Sequence, residues 1–387
     1  MRVGLVSAEF PPAVGGVGDH TARLAQELTR AGHEVDVLTS ASPPWPETSG
    51  ATVLRAVRTW DGRIWWQVPR IARRRGWDIL HIQYQPAAYA LHGAINLLPI
   101  AVGGTRPAVV TTFHDLRVPY LFPKAGPLRT AAVATLAKLS AAVIAVSDDD
   151  LPQLIRWRPA KPPETTRHVP LGDQLDDPLP EGFDAAVWRA RLGLHRDTLL
   201  IAHFGLINAS KGVLELVDAL AHIDGAHLLM IGEALGASDA TNRAYLDRVR
   251  ARIAERHLDS RIHWTGRVTP SELAGWLMAS DVVALPYSDG ASLRRTSLIT
   301  AWRRRRPVVT TTPAASAAWR GDAPLLAALV APGDASELAR ALSELLTDET
   351  RRARLATAGA HFAERFAWPS VVRQTVDVYR VALSRGR

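Results

Sequence analysis

The chain has 387 residues, too many for one ordinary core and suited to two domains of roughly 100–200 residues each. Hydrophobic residues make up 47% and charged residues 22%, which excludes a disordered chain, and zero cysteine excludes disulfides and thiolate metal sites. The net charge of +8 suits nucleic acid, an anionic membrane or phosphorylated substrates, but no zinc-finger spacing or aromatic RNA-binding signature is present, so nucleic acid is not an expected partner.

The opening MRVGLVSAEF runs straight into an apolar strand at 3–8, which leaves no room for a signal peptide. No run reaches the ~20 apolar residues of a membrane span, and the expected location is the cytoplasm. After the loop EFPPAVGG comes a helix over 18–31, with Thr21, Leu24, Ala25 and Leu28 as its buried stripe and Gly32 ending it in the C′ role. Further strands are expected at 35–39, 52–57, 79–83, 108–112, 142–146 and 168–170, with helices between most of them. Continuous apolar strands alternating with helices imply a parallel sheet covered on both faces.

Residues 173–182, DQLDDPLPEG, are acidic, carry two prolines and hold no apolar run, so a hinge is placed here. A second series follows, with strands expected at 199–204, 227–231, 261–265, 282–285, 308–311 and 325–330. Its helices are expected at 212–222, 242–257, 270–279, 296–304, 335–346 and 348–365. Asp334 and Glu337 form a capping-box pattern, and 368–384 reads as one more amphipathic helix. The domain reading is thus 1–173, a linker over 174–190, a second domain over 191–367 and a tail helix over 368–387. In doubly wound sheets ligands sit beyond the carboxyl ends of the strands, so two such domains in tandem imply a cleft with both sets of loops facing it.

The stretch 289–309, DGASLRRTSLITAWRRRRPVV, follows an apolar strand and opens a helix among glycine, hydroxyl and arginine residues. A helix start exposes unpaired N–H groups and the positive end of the dipole, so Arg294, Arg295, Thr296 and Ser297 suit a bound phosphate. Lys211, in FGLINASKG before the next helix, is a second such place and points to a diphosphate. Gly15, Gly16 and Gly18 fit a dinucleotide fingerprint badly, because they come seven residues after the strand. They read better as a loop open to a ligand, or as a turn needed for geometry alone. His114 closes a strand at the expected cleft mouth, with a plain surface histidine as the alternative. His81 and His203 read as packed histidines, and Asp148 to Asp150 as a helix cap rather than a metal site. Arg303 to Arg306 read as a solvated helix end or an anion grip. In residues 60–77, Ile64, Val68 and Ile71 make a core stripe, and Trp66, Arg70, Arg73 and Arg74 an outward face suited to an anionic membrane surface or acceptor.

The motifs GGVGDHTARLAQEL, GHEVDVLT, HIQYQP, TTFHDL, VSDDDL, HFGLINASKG, LMIGE, HWTGRVTPSELAGWLMASDVVALPY, PVVTTT and FAW occur in that order. In order and spacing they resemble a family 4 retaining glycosyltransferase, from residue 1 to about 380. The resemblance implies the α/β fold called GT-B: two Rossmann-like doubly wound domains facing across a cleft. It implies a nucleotide-diphosphate sugar as donor, transfer to an acceptor hydroxyl with retention of configuration, and no metal or cofactor. The acceptor is a glycan, a lipid-linked molecule or a small molecule, and peripheral contact with the inner membrane surface goes with that range.

By the same resemblance Lys211 contacts the donor diphosphate, and Gly15, Gly16 and Gly18 reach it from the first domain. Glu233, Arg267 and Val268 lie at the base, His114 lies beside the transferring sugar, and His20 is on the acceptor side. The pair of glutamates usual in the family is replaced by Ser292 and Thr300. Leu206 stands where an arginine is often found, and Arg303 and Arg305 replace a small residue and a glycine. Arg294 and Arg295 are expected to restore positive charge near the diphosphate. The alternatives are a non-catalytic homologue that binds a nucleotide sugar or a partner protein, and a nicotinamide oxidoreductase, against which the misplaced glycines speak.

Overall fold

The computed structural model describes the chain except residues 13–15, 42–50, 87, 90–91, 105, 117–125, 174–177, 206, 233–239, 315–316, 318 and 385–387, and the side chains of 126–129 and 240–241. The chain divides into two compact units, Met1–Gly172 with Arg365–Arg387, and Asp173–Glu364.

The first unit runs β1 (Arg2–Val6), α1 (Gly16–Arg30), β2 (Glu34–Ser40), β3 (Thr52–Val57), α2 (Ile64–Arg75), β4 (Ile79–Tyr84), α3 (Ala94–Val102), β5 (Ala108–Phe113), α4 (Gly126–Leu139), β6 (Ala142–Ala145), α5 (Leu151–Trp157) and β7 (Thr166–His168). The second holds α6 (Ala185–Ala190), β8 (Leu199–Phe204), α7 (Val213–Leu220), β9 (Ala226–Ile231), α8 (Ala240–Glu255), β10 (Ile262–Trp264), α9 (Pro270–Ala279), β11 (Val282–Leu285), α10 (Thr296–Arg303), β12 (Val308–Thr311), α11 (Ala323–Leu326), β13 (Ala328–Val330), α12 (Ala335–Thr347) and α13 (Glu349–Ala363). The tail helix α14 (Trp368–Ser384) belongs to the first unit.

Among the described residues each unit has one parallel sheet, ordered β3-β2-β1-β4-β5-β6-β7 in the first and β10-β9-β8-β11-β12-β13 in the second. Both are α/β doubly wound sheets, as the alternation of strands and helices requires. The order reverses between β1 and β4 and between β8 and β11. Those switch points open the crevice where such folds take ligands. Central strands are apolar throughout because helices cover both faces: every residue of β4 and β5 is buried.

Local chemistry sets the element ends. Gly32 closes α1 at φ +83°, with its N–H on Thr29 O at 2.9 Å and the His33 N–H on Leu28 O at 3.1 Å, the left-handed cap that glycine favours. Thr269 and Glu272 form a full capping box on α9. At α12 only half of the expected box forms. Asp334 accepts the Glu337 N–H at 2.8 Å, while the Glu337 carboxylate turns to the Ala331 N–H at 2.7 Å. In the first unit α14 buries Val371, Val372, Val376 and Tyr379 against the sheet, and Trp368 lies over Gly172, where a Cβ would stand 2.5 Å from the indole.

Three expectations about elements need correction. Residues Ala185–Ala190, assigned to the linker, form a helix of the second unit, capped by Asp184 and fastened by Trp188 against Trp276 at 4.7 Å between rings. The strand expected over 325–330 begins later, because 323–326 is a helical turn with Pro324 in its first positions. The strand expected at 168–170 pairs two residues earlier, as Thr166–His168 beside β6.

Candidate active site

In the second unit the site is built from the loops after β8 and β11. Beyond β8, Gly205 has φ +120°, and the Asn208 side chain accepts from the Ser210 N–H at 3.0 Å and from the Ser210 hydroxyl at 2.7 Å. This folds 209–211 into a tight turn and sets Lys211 at its end. Gly212 follows at φ +64°, so close to β11 that a Cβ would lie 1.8 Å from Pro286 O. The loop after β11 is stitched to the same turn. The Ser288 N–H donates to Ser210 O at 3.1 Å, and the Ser288 hydroxyl to Ala209 O at 3.1 Å.

Tyr287 organises the charges. Its buried ring lies 5.2 Å from the Lys211 ammonium and 4.6 Å from the Arg295 guanidinium, a cation–π arrangement that holds two like charges near each other. Arg295 also donates to the Ser210 hydroxyl at 3.1 Å and pairs with Asp289. Burial, then repulsion from Arg295, lowers the Lys211 pKa to about 8 against the opposing pull of Asp289. A lysine and an arginine held together with one partly exposed carboxylate leave positive charge suited to an incoming anion.

The start of α10 adds donors. Neither the Thr296 nor the Ser297 N–H has an acceptor among the described residues, as expected of a helix start. Thr296 is exposed and Arg294 half-buried, its N–H on the Ser292 hydroxyl at 3.3 Å. Two of the hydroxyls that the sequence assigned to the donor turn inward. Ser297 bonds Tyr287 OH at 2.7 Å, and Thr300 donates to Asp173 at 3.2 Å, with Arg303 3.6 Å from the same carboxylate. Thr300 is one turn into the helix, on the face packed against the unit's interior, so Ser297 offers its backbone N–H alone and Thr300 offers no group.

Two strands away, the loops after β9 and β10 are tied by an antiparallel bridge between Gly232 and Gly266, and the Gly232 N–H donates to the Thr265 hydroxyl at 3.0 Å. Arg267, exposed, and Val268, half-buried, follow on the same rim. Glu233 and Leu206 lie outside the described residues.

The first unit presents a different chemistry beyond β1, β4 and β5. His114 leaves β5 with its Nε2 on Gln83 Oε1 at 2.8 Å. His20, buried on α1, meets the His114 ring edge-on at 5.1 Å and the Trp368 ring at 5.5 Å, and its buried Nδ1 has no hydrogen-bond partner among the described residues. Beneath them His81 bonds Tyr379 OH and the Thr112 hydroxyl, each at 2.7 Å. Burial lowers the pKa of His20 to about 4 and of His81 to about 3, and it holds His114 well below the usual histidine range with help from its two neighbours. All three are neutral imidazoles at neutral pH. Gly18 lets α1 approach the backbone of Glu9 and Phe10, to which its Cβ would stand 3.2 Å away. Gly16 is exposed with open space around it, and Gly15 lies outside the described residues.

His81 and His203 are fully buried, as expected of packed histidines. Asp148 of the Asp-x-Asp stretch is engaged by His168 at 2.9 Å, and among the described residues no cluster of three metal-ligating side chains occurs. The sequence reading missed Tyr287, Ser210 and Asp289, which hold the two cations in place. Their signal was available in LPYSDG, a tyrosine and an acid directly after the strand that leads to the arginines.

Two doubly wound parallel sheets, with a cation cluster beyond the switch point of one and neutral polar groups beyond that of the other, are the architecture expected of the GT-B fold. The Glycosyltransferase Family 4 model matches residues 14–172 and the Glycosyl transferases group 1 model residues 198–348. The chain belongs to the family 4 glycosyltransferases. It is 27% identical to a D-inositol 3-phosphate glycosyltransferase of Xylanimonas cellulosilytica, over 99% of this chain and 97% of that one. It is 26% identical to a phosphatidyl-myo-inositol mannosyltransferase of Mycobacterium leprae, over 100% and 98%. In fold it is similar to Anabaena HepE, solved with UDP and glucose, at a TM-score of 0.71 and 18% identity over 97% of this chain and 98% of that one.

Proposed function

We propose that this glycosyltransferase takes a nucleotide-diphosphate sugar as donor and passes the sugar to an acceptor hydroxyl with retention of configuration. The observation that carries this is the pair Lys211 and Arg295 over Tyr287, beside the free N–H groups of Thr296 and Ser297. In transfer the bond from the sugar's C1 to the diphosphate oxygen breaks, and its electron pair stays on that oxygen. The acceptor oxygen bonds C1, and its proton passes to the leaving diphosphate oxygen. The charge that grows on the diphosphate is met by the ammonium, the guanidinium and the helix dipole, which supply the role a metal would otherwise take. Gly232, Thr265, Arg267 and Val268 line the rim where the base would lie, with Glu233 next in sequence.

The neutral imidazoles of the first unit suit uncharged hydroxyl groups, so His114 is assigned to the transferring sugar and His20, with Gly16 and Gly18, to the acceptor side. Relatives named for inositol phosphate and phosphatidylinositol favour a polyol acceptor that carries a phosphate. A lipid-linked acceptor would be met at the surface of α2 and α3, where Trp65, Trp66, Leu97 and Ile100 are exposed beside Arg70, Arg73 and Arg74. Each arginine near an anionic bilayer contributes about 1 kcal/mol. Among the described residues no helix is long and apolar enough to cross a membrane.

A thermal-shift screen against nucleotide sugars tests the donor, since a ligand that binds only the folded state raises its apparent stability. The anomeric configuration of the product, read by NMR with and without EDTA, tests retention and independence from metal. Replacing Arg294 and Arg295 together by alanine is expected to weaken donor binding, and unchanged binding would refute their role. A second reading, binding without transfer, is favoured by one observation: positions 292 and 300 carry no carboxylate, and Thr300 is spent on Asp173. Binding with no turnover across donors and acceptors would establish it.

A further inference from the structure

At the amino ends of the second sheet, opposite Lys211 and Arg295, lies a cavity of about 480 Å³. Its floor is Ser280 and Asp281, just before β11, and Pro307, just before β12. Five arginines line it, Arg189, Arg196, Arg305, Arg306 and Arg352, against the three carboxylates Asp197, Asp281 and Glu349, so positive charge is in excess by two.

Three of the arginines are fixed in the walls. Arg189 donates to Ala279 O and pairs with Asp281, both at 2.8 Å. Arg306 donates to Ser280 O at 3.0 Å, and Arg352 to Leu345 O at 2.9 Å. Burial lowers the pKa of Arg306 against the pull of Asp281, with Arg189's like charge adding to the effect. Arg305 differs: its side chain is exposed on the cavity and takes no hydrogen bond or ion pair from any described residue.

The backbone singles out the same residue. Arg305 closes α10 with φ +52°, its N–H on Trp302 O at 2.8 Å and the Arg306 N–H on Ala301 O at 2.9 Å. This is the left-handed cap that glycine normally fills. Among the described residues the other non-glycine at positive φ is His257, and histidine is enriched in that region, whereas arginine is not. A strained backbone that holds an unpaired guanidinium on a basic cavity is the pattern found at binding sites.

We propose that this cavity is a second anion site, which takes the phosphate group of a small phosphomonoester separately from the donor site. Guanidinium groups match phosphate oxygens in pairs, and the volume is that of a small-molecule site. The unfolding temperature of the protein in phosphate, in glucose 6-phosphate and in chloride at equal ionic strength tests it, with Arg305→Gly and Lys211→Ala as variants. The glycine relieves the strained backbone, so Arg305→Gly is expected to be at least as stable as the parent in chloride. Its phosphate dissociation constant is expected to rise by about tenfold or more, the loss of one charged hydrogen bond. Lys211→Ala is expected to keep the phosphate-dependent rise. Glucose 6-phosphate is expected to stabilise the parent at least as well as phosphate. The proposal is overturned if phosphate leaves the parent unchanged, if Arg305→Gly responds like the parent, or if Lys211→Ala removes the response. Weaker stabilisation by glucose 6-phosphate than by phosphate overturns the phosphomonoester assignment.

Discussion

The carboxyl ends of the two sheets are built on opposite electrostatic plans. In the second unit two cations share one aromatic ring and a helix start, with a single acid beside them. In the first unit burial keeps three histidines neutral: His81 is bonded to Thr112 and Tyr379, His114 to Gln83, and His20 lies against the rings of His114 and Trp368. Charge is concentrated where an anion would have to be held and released. It is removed where hydroxyl groups would have to be positioned without competition from water or ions. The same architecture therefore carries two different electrostatic environments, set by individual side chains on loops, helices and strand ends.

The largest effect that sharpens this comparison is expected from glycine. Gly212→Ala forces a Cβ into Pro286 O at a left-handed position, so about 2–4 kcal/mol of stability and most donor binding should be lost in urea melts and titrations. The corresponding change in the first unit, Gly18→Ala, meets backbone at 3.2 Å with no strained φ and should cost about 1 kcal/mol. Equal losses for the two would break the contrast. Next in size, Lys211→Ala should weaken donor binding roughly ten- to hundredfold, the worth of a charged hydrogen bond, while melts show little loss.

The two ends should respond to pH in different windows, with the same sign for stability. Lys211 titrates at about 8 in the folded chain, below its ordinary value, so donor affinity should fall as pH rises through about 8. Lys211→Arg should flatten that fall. Above pH 8 the unfolded lysine binds the proton that the folded one has lost, so this group makes stability rise with pH up to the ordinary lysine range. The histidines act at the acid end. With His20 at about 4 and His81 at about 3, the unfolded chain gains protons first as pH drops below about 6.5, and stability should decline from there toward pH 4. His203, lowered to about 4 by burial, adds one such group to the second unit. An effect on stability alone should come from Tyr379→Phe. It leaves His81 short of one partner and should cost about 1–2 kcal/mol in melts, with donor affinity unchanged.

Much of this was legible in the sequence. Apolar runs gave nearly every strand, Gly32 marked the end of α1, and the position of Lys211 between a strand and a helix singled it out. What was not legible depends on contacts across distance. Tyr379 reaches His81 from the tail helix, and His20 reaches His114 from α1, pairings that no local pattern encodes. The inward hydrogen bonds of Ser297 to Tyr287 and of Thr300 to Asp173 were not legible, because composition at a helix start says nothing about which face is packed. The helix Ala185–Ala190 was taken for linker because six residues are too few to show a period. Arg305 read as part of a charge run standing where the resembled family has a glycine, and its left-handed backbone shows what that glycine position requires.

Calorimetric titration of UDP, GDP and ADP into the parent and into the Lys211→Ala, Arg295→Ala double variant measures the grip on the diphosphate itself. At least one of the three should bind the parent and lose affinity by about a hundredfold or more in the variant. A nucleoside diphosphate that binds both proteins equally well would contradict the assignment of the donor to the Tyr287 cluster.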